Sequence, residues 1–305
     1  DFARWPQFER IPRLASHSAQ GVIELMPTAD GRLYSFKFVN GHPGNPREGK
    51  LTVGAFGALA DVATGYPLLV SEMTILTALR TAATSALAAS LLARSDSRTH
   101  ALIGTGAQAE FQALAFQAVL GVGRLRYFDI DGAAMSKLAT NLAGSDLVLE
   151  PCESVEEALR GADIVTTATA SKSRQRVITP DLVRPGMHIN GIGGDCPGKT
   201  EIDPEVLKSA RVFVEFEPQT RIEGDIQVLD PQFSVTELWQ VVAGHVPGRR
   251  SSEEITVFDS VGFAVEDFST LRYVYDKVRE TGIGGRFEAI PDLADPKNLY
   301  GCLTT

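Results

Sequence analysis

The chain is poor in the residues that staple or metallate small proteins. Three cysteines in 305 residues (Cys152, Cys196 and Cys302) show no CxxC spacing, so neither a disulfide framework nor a zinc site is indicated. No set of residues has metal-ligand spacing, and no metal is expected. Basic charge is short as well: 29 Lys and Arg stand against 38 Asp and Glu, a net charge of −9. Nucleic acids and anionic membranes both want a basic face, so neither is an expected partner. No apolar run approaches the 18 or more residues of a membrane span. A secretory leader is also missing from "DFARWPQFER", and a start at Asp1 suggests that an N-terminal piece is absent. Repeats and low-complexity tracts are not found. The setting read from these shortages is reducing cytoplasm.

What is present is the composition of a globular protein, 44% hydrophobic and 22% charged, with length for two ordinary domains or one large one. From about 20 to 80 the signals are strands. "GVIELMP" and "LYSFKFV" flank an Asp30-Gly31 turn, and "AFGALAD" and "LLVSEM" flank "VATGYP". Alternation in "YSFKF" puts Tyr34, Phe36 and Phe38 on one face and Ser35 and Lys37 on the other. A long helix, "TILTALRTAATSALAASLLA", is expected to bury Leu76, Leu79, Ala83 and Leu87 as one stripe. After residue 100 short strands alternate with helices, from "HALIG" through "ITVFDS". That grammar implies right-handed crossovers and a doubly wound parallel sheet of α/β class. A last helix starts near 262 and ends at "GIGG".

Gly104-x-Gly106-x-x-Ala109, with Ala107 and Gln108 between, lies between a strand and a helix. The glycines permit the tight turn and let backbone approach a pyrophosphate at the helix N-terminus. Asp129, about 20 residues on, would accept from the ribose hydroxyls and repel a 2′-phosphate, which favours NAD over NADP. Asp131 competes for that role, but its place before "GAAMSKLATNL" suits a helix N-cap. In "TTATAS", residues 166–171, the small residues including Thr169 could let a cofactor lie across the sheet edge.

Four charged residues stand on or near apolar faces: Arg13, Glu24, Lys37 and Arg80. Each alone could be a solvated or snorkelling side chain. Together they are the inventory for an amino-acid ligand, cations for its carboxylate and an acid for its amine. Asp195 sits in the glycine-rich "NGIGGDCPGKTE". There it is either a turn aspartate bonded to its own backbone or a proton-transfer group held close to a cofactor. Its neighbour Cys196 reads as a packing residue.

"SHSAQGVIELMPT", "FKFVNGHP", "ADVATGYP", "ALRTAATSA", "IGTGAQAEFQALA", "NGIGGDCPGKTE" and "VFDSVGFAVEDFSTLRYV" follow one another as in the ornithine cyclodeaminase/μ-crystallin family, which the chain resembles over essentially its whole length. The resemblance implies NAD-dependent conversion of L-ornithine to L-proline with loss of ammonia. It also implies a homodimer and a second, substrate and dimerisation domain built from both chain ends. We place that domain at 1–80 plus 284–305 and the Rossmann-type NAD domain at 81–283. By the same resemblance Arg13, Lys37 and Arg80 hold the substrate carboxylate, and Glu24 and Thr52 line the pocket. Thr52 and Arg80 also touch the cofactor, and Asp195 is the acid/base. Alternatives within the family are a lysine cyclodeaminase, an alanine dehydrogenase and a ketimine reductase. An alternative of another class is a μ-crystallin-like binding protein without turnover.

Overall fold

The protein is described here by a computed structural model covering residues 1–170 and 174–303. Ser171, the end of the "TTATAS" segment, lies outside the described residues.

An antiparallel meander comes first: β1 (Leu14–His17), β2 (Val22–Ala29), β3 (Leu33–Gly41), β4 (Val53–Asp61) and β5 (Pro67–Glu72), paired in that order. The β2–β3 turn forms as the sequence predicts. Asp30 Oδ1 accepts from the backbone of Arg32 and Leu33, and Gly31 takes φ +82°. The alternation in β3 is also as expected, and the face that carries the polar residues is the buried one. Ser35 and Lys37 are buried, whereas Tyr34 is 37% exposed and Phe36 and Phe38 are half-buried against Phe56. The inward face is covered by the final helix, which supplies Lys37 with an anion, so the polar side of the strand is the dry side.

Helix α1 (Thr74–Leu92) contradicts the predicted stripe. Leu79 and Ala83 are exposed, and the buried positions are mostly small: Ala78, Ala82, Ser85, Ala86 and Ala89. Small side chains let α1 approach the helices beside it closely. By length and composition α1 is apolar enough to cross a membrane, contrary to the sequence expectation. Its place, though, is between the two sheets, in contact with strands of both.

The second sheet is built from β6 (Thr99–Ile103), α2 (Ala109–Leu120), β7 (Arg124–Phe128), α3 (Gly132–Leu142), β8 (Val148–Pro151), α4 (Val155–Leu159) and β9 (Ile164–Thr167). Then come β10 (Arg174–Ile178), β11 (His188–Gly191), β12 (Thr200–Ile202), α5 (Pro204–Ser209), β13 (Arg211–Val214) and α6 (Glu217–Glu223). Last are β14 (Thr236–Glu237), α7 (Leu238–Val242), β15 (Thr256–Asp259) and α8 (Ala264–Thr281). Eight strands pair in parallel in the order β14-β13-β15-β11-β9-β6-β7-β8, while β10 and β12 form a separate pair. The order in which successive strands are laid down reverses between β6 and β9, the position where such sheets bind ligands.

Sequence reasoning placed α8 with the dinucleotide domain, but the helix packs across β2, β3, β4 and β5 and against α1. Its apolar residues Phe268 and Leu271 share one core with Trp5, Leu59, Met73, Phe213 and Phe258, so this core spans both sheets.

A buried polar line crosses the middle of the large sheet. His100 meets Thr166 Oγ1 at 2.9 Å, and His188 meets Thr256 Oγ1 at 2.9 Å and Asn190 Oδ1 at 3.2 Å. Burial drives both imidazole pKa values down to about 3, helped by His188 at His100 and by the charge of Arg249 at His188. Each ring is therefore neutral when folded and gains a proton on unfolding in mild acid. Their stabilisation is complete above about pH 6.5 and is lost as pH falls toward 3, with a slope of up to ~1.4 kcal/mol per pH unit for each ring. Urea unfolding of His100→Gln should show that acid slope reduced by roughly one proton's worth; a slope equal to the parent's would refute it.

Candidate active site

The dinucleotide loop follows β6. Gly104 takes φ +97°, and a Cβ there would stand 2.6 Å from the Ala168 carbonyl at the end of β9, so only glycine closes the switch point. Gly106 and Ala107 are exposed, and a Cβ on Gly106 would meet nothing within 4 Å. No side chain caps the start of α2; Gln108 Oε1 is buried without a hydrogen-bond partner among the described residues, and Ala109 is fully buried. Asp129 ends β7 with Oδ2 accepting from Thr105 N at 2.6 Å and Oδ1 from Asp131 N at 3.0 Å. Asp131 caps α3, as predicted. An uncapped helix N-terminus, open space over Gly106 and an acid at the second strand's end fit a dinucleotide.

Three cations meet at the seam between the sheets. Arg13, just before β1, donates to the carbonyls of Val261 and Gly262 at 2.6 and 2.9 Å. It also pairs with Glu24 and with Glu223, each at 3.1 Å. Lys37 lies 2.9 Å from Asp267, and Arg80 lies 2.7 Å from Glu266 and 3.3 Å from Asp267. The side chains of Arg13, Lys37 and Arg80 are each at least nine-tenths buried. Burial and the charge of Arg80 lower the Lys37 pKa to about 8 despite Asp267. For Arg80, burial pulls the other way, but Asp267 and Glu266 prevail and hold its pKa above the ordinary value. Such an assembly is costly to dehydrate, and it is chemically suited to receive a carboxylate.

Asp195 follows β11 at the carboxyl edge of the sheet, with its side chain 55% exposed and Oδ1 3.3 Å from Lys199 Nζ. Lys199 also donates to the Thr169 carbonyl at 3.0 Å, tying this loop to the end of β9. Thr169 itself donates to Glu201 from N and Oγ1. The glycines before Asp195 have a reason the sequence did not disclose. A Cβ at Gly193 would lie 2.0 Å from Glu201 Oε2, and one at Gly191 or Gly194 would lie 3.0 or 2.9 Å from Asp225 Oδ2. They make room for buried carboxylates beneath the loop. Cys196 is half-buried, and its carbonyl accepts from Lys199 N at 3.2 Å.

The structure therefore gathers Arg13, Glu24, Lys37 and Arg80 in the seam, places Gly104, Gly106, Ala107, Gln108, Asp129 and Thr169 around the switch point, and puts Asp195 on the same sheet edge. Thr52 is not brought in: it is exposed before β4, and only its carbonyl is hydrogen-bonded among the described residues. Sequence reasoning missed Lys199, Glu223, Glu266 and Asp267. The Glu-Asp pair in "GFAVEDF" was a usable signal, since acids at a helix start beside apolar residues are caps or ion-pair partners. For Glu223, on a short helix, there was none.

The sequence pattern of the ornithine cyclodeaminase/mu-crystallin family matches residues 1–282. An ornithine cyclodeaminase of Agrobacterium fabrum is 58% identical over 303 residues, covering 99% of this chain and 86% of that protein. An archaeal alanine dehydrogenase dimer with bound NAD superposes with a TM-score of 0.89 at 34% identity, covering 95% of this chain and 92% of that one. A lysine cyclodeaminase solved for recognition of L-lysine, L-ornithine and L-2,4-diaminobutyric acid gives 0.87 at 33% identity, covering 97% and 88%.

The two loop glycines should separate folding from binding. Gly106→Val fills open space and should leave the melting temperature close to the parent's, while dinucleotide affinity falls at least tenfold, about 1.4 kcal/mol. Gly104→Ala, with its left-handed φ and 2.6 Å backbone clash, should lower the melting temperature itself. Equal dinucleotide binding by Gly106→Val and parent, measured by fluorescence titration, would contradict the site.

Proposed function

The chain belongs to the ornithine cyclodeaminase/mu-crystallin family, and from that premise we propose that it converts L-ornithine to L-proline and ammonia with NAD as cofactor. One observation carries the chemistry: three buried cations share a seam beside a carboxylate loop at the switch-point edge of the sheet. The chemistry that bound NAD supplies is acceptance of a hydride from the substrate Cα and its return to the cyclic ketimine.

The protein's own groups do the rest. Arg13, Lys37 and Arg80 hold the substrate carboxylate and so fix Cα, a positioning role. Glu24 lines the same pocket. Asp195 takes the proton of the side-chain ammonium, since only the free amine can attack C2. Lys199, paired with Asp195 and anchored on the Thr169 carbonyl, keeps that carboxylate at the sheet edge. Asp129 selects NAD, because a 2′-phosphate would meet its charge.

Ornithine is favoured over lysine by 58% identity to a protein named for ornithine against 33% to the lysine enzyme. One methylene is worth only about 1–3 kcal/mol in a pocket, so some turnover of lysine is expected. We further propose a homodimer and a cytoplasmic setting. The first is supported by the outward sheet face, where Tyr34, Phe56 and Val70 are exposed, and by the dimeric alanine dehydrogenase relative. The second is supported by the acidic chain, in which no disulfide joins the described cysteines.

Incubation with ornithine and NAD should give proline and ammonia in equal amounts without net NADH. NADH accumulating in step with ammonia would instead mean a simple dehydrogenase. Asp195→Asn should keep NAD binding and lose on the order of 10²–10⁴-fold in turnover; a rate near the parent's would remove the aspartate from the chemistry. KM for ornithine should rise as pH passes through about 8, where Lys37 loses the proton that attracts the carboxylate, and a flat KM across that range would argue against Lys37 as a ligand.

A further inference from the structure

Glu223 closes α6 and is nine-tenths buried. The same helix presents Gln219, whose side chain accepts from Arg13 N at 3.2 Å and donates to the Gly262 carbonyl at 2.8 Å. Glu223 Oε2 lies 3.1 Å from Arg13 Nε, yet neither atom has a hydrogen-bond partner among the described residues. An acceptor and a donor thus remain unspent inside the seam, next to the guanidinium that takes the substrate carboxylate in the reading above.

Glu223 is also tied to the Asp195 loop. The side-chain amide of Gln227 donates to the carbonyls of Glu223, Gly224, Cys196 and Lys199, and its Oε1 accepts from Gly198 N. One side chain therefore sets the end of α6 against the turn that carries Asp195. The charged groups that act on Glu223 are Arg13 before β1, Glu24 on β2 and Asp195 on the loop after β11. Burial raises its pKa to about 7; Arg13 opposes the rise, and Glu24 and Asp195 add to it.

Resting on the proposed ornithine reaction, we propose that Glu223 is a second catalytic carboxylate, the general acid that protonates the departing α-nitrogen after the ring has closed. Asp195 passes the first ammonium proton to solvent, and as ring closure joins the δ-nitrogen to C2 it takes the second δ-proton. The C2–Nα bond then breaks and its electron pair leaves on Nα. Nα takes the Glu223 proton and departs as ammonia, while the ring nitrogen's lone pair forms the C=N bond. Solvent returns the proton to Glu223. Two carboxylates in unlike surroundings divide the labour: the dry one is the acid, the half-exposed one the base. The neutral form of Glu223 also leaves Arg13 facing one anion instead of two, free to attract the substrate carboxylate.

Glu223→Gln tests this, because glutamine imitates the neutral acid in shape but has no proton to give. With saturating NAD, kcat for ammonia release from ornithine should fall on the order of 10²-fold or more, with KM within about threefold. Reduction of the five-membered cyclic ketimine acid by NADH, which starts after ammonia has left, should fall far less. The decline of kcat as pH rises through about 7 should disappear. NAD titration by fluorescence checks that the variant is folded. Should it not fold, Glu223→Asp carries the test, with ammonia release lowered and the pH limb retained. The inference is overturned if KM rises while kcat holds, if the ornithine and ketimine rates fall together in either variant, or if the variant matches a parent that releases ammonia. A parent that reduces the ketimine but releases no ammonia overturns the proposed function itself, and this inference with it.

Discussion

Everything near the active site leans on the ionic seam between the two sheets. Arg13, Lys37 and Arg80 come from the first part of the chain, whereas Glu223, Glu266 and Asp267 come from after β13. Unpaired, any of these charges would be very expensive to bury, and even paired they give no certain gain over apolar residues of the same volume. Their retention in a dry place makes sense if the cations are needed bare of water. The Arg13 contacts to the carbonyls of Val261 and Gly262 show how the fold holds such a group: backbone dipoles supplement the carboxylates.

A second layer of carboxylates sits under the Asp195 loop. Asp225 accepts from the backbone of Glu201 and Ile202, and Asp259 accepts from the backbone of Asp225 and Ile226. Buried side by side, the two cannot both ionise cheaply. Burial pushes the Asp225 carboxyl up to about 7, and burial with the neighbouring Asp225 raises Asp259 well above the ordinary carboxylate range. They act as backbone braces, and the glycines at 191 and 194 are the space that Asp225 needs.

Much of this was legible in the chain. The β6–Gly104–α2 unit, Asp129 and the N-cap Asp131 follow local rules with a long physical reach: a positive φ, an uncapped helix start and a strand-end acid. What misled was the inference from hydrophobicity to burial. The leucine stripe of α1 is less buried than its alanines, and the alternation of β3 separated its aromatics from Ser35 and Lys37 without telling which face is dry. Both have one cause, since α8 and α2 are brought in by tertiary packing and their close approach decides which face is dry. Glu223, Lys199 and Gln227 were illegible for a related reason. Each acquires its meaning from a partner fixed only by tertiary packing: Arg13, Thr169 and the Cys196 turn.

The buried contacts of Arg13 also bear on residence time. A motion that parted the two sheets would strip Arg13 from two carbonyls and two carboxylates and separate Lys37 and Arg80 from the start of α8. Each separation would expose a charge before water could fully solvate it, which makes wide opening a slow event. A dinucleotide lodged at the switch point would then dissociate slowly compared with the interval between donating and recovering one hydride. Tight retention of that kind would let a single molecule of cofactor serve many successive turnovers without exchange.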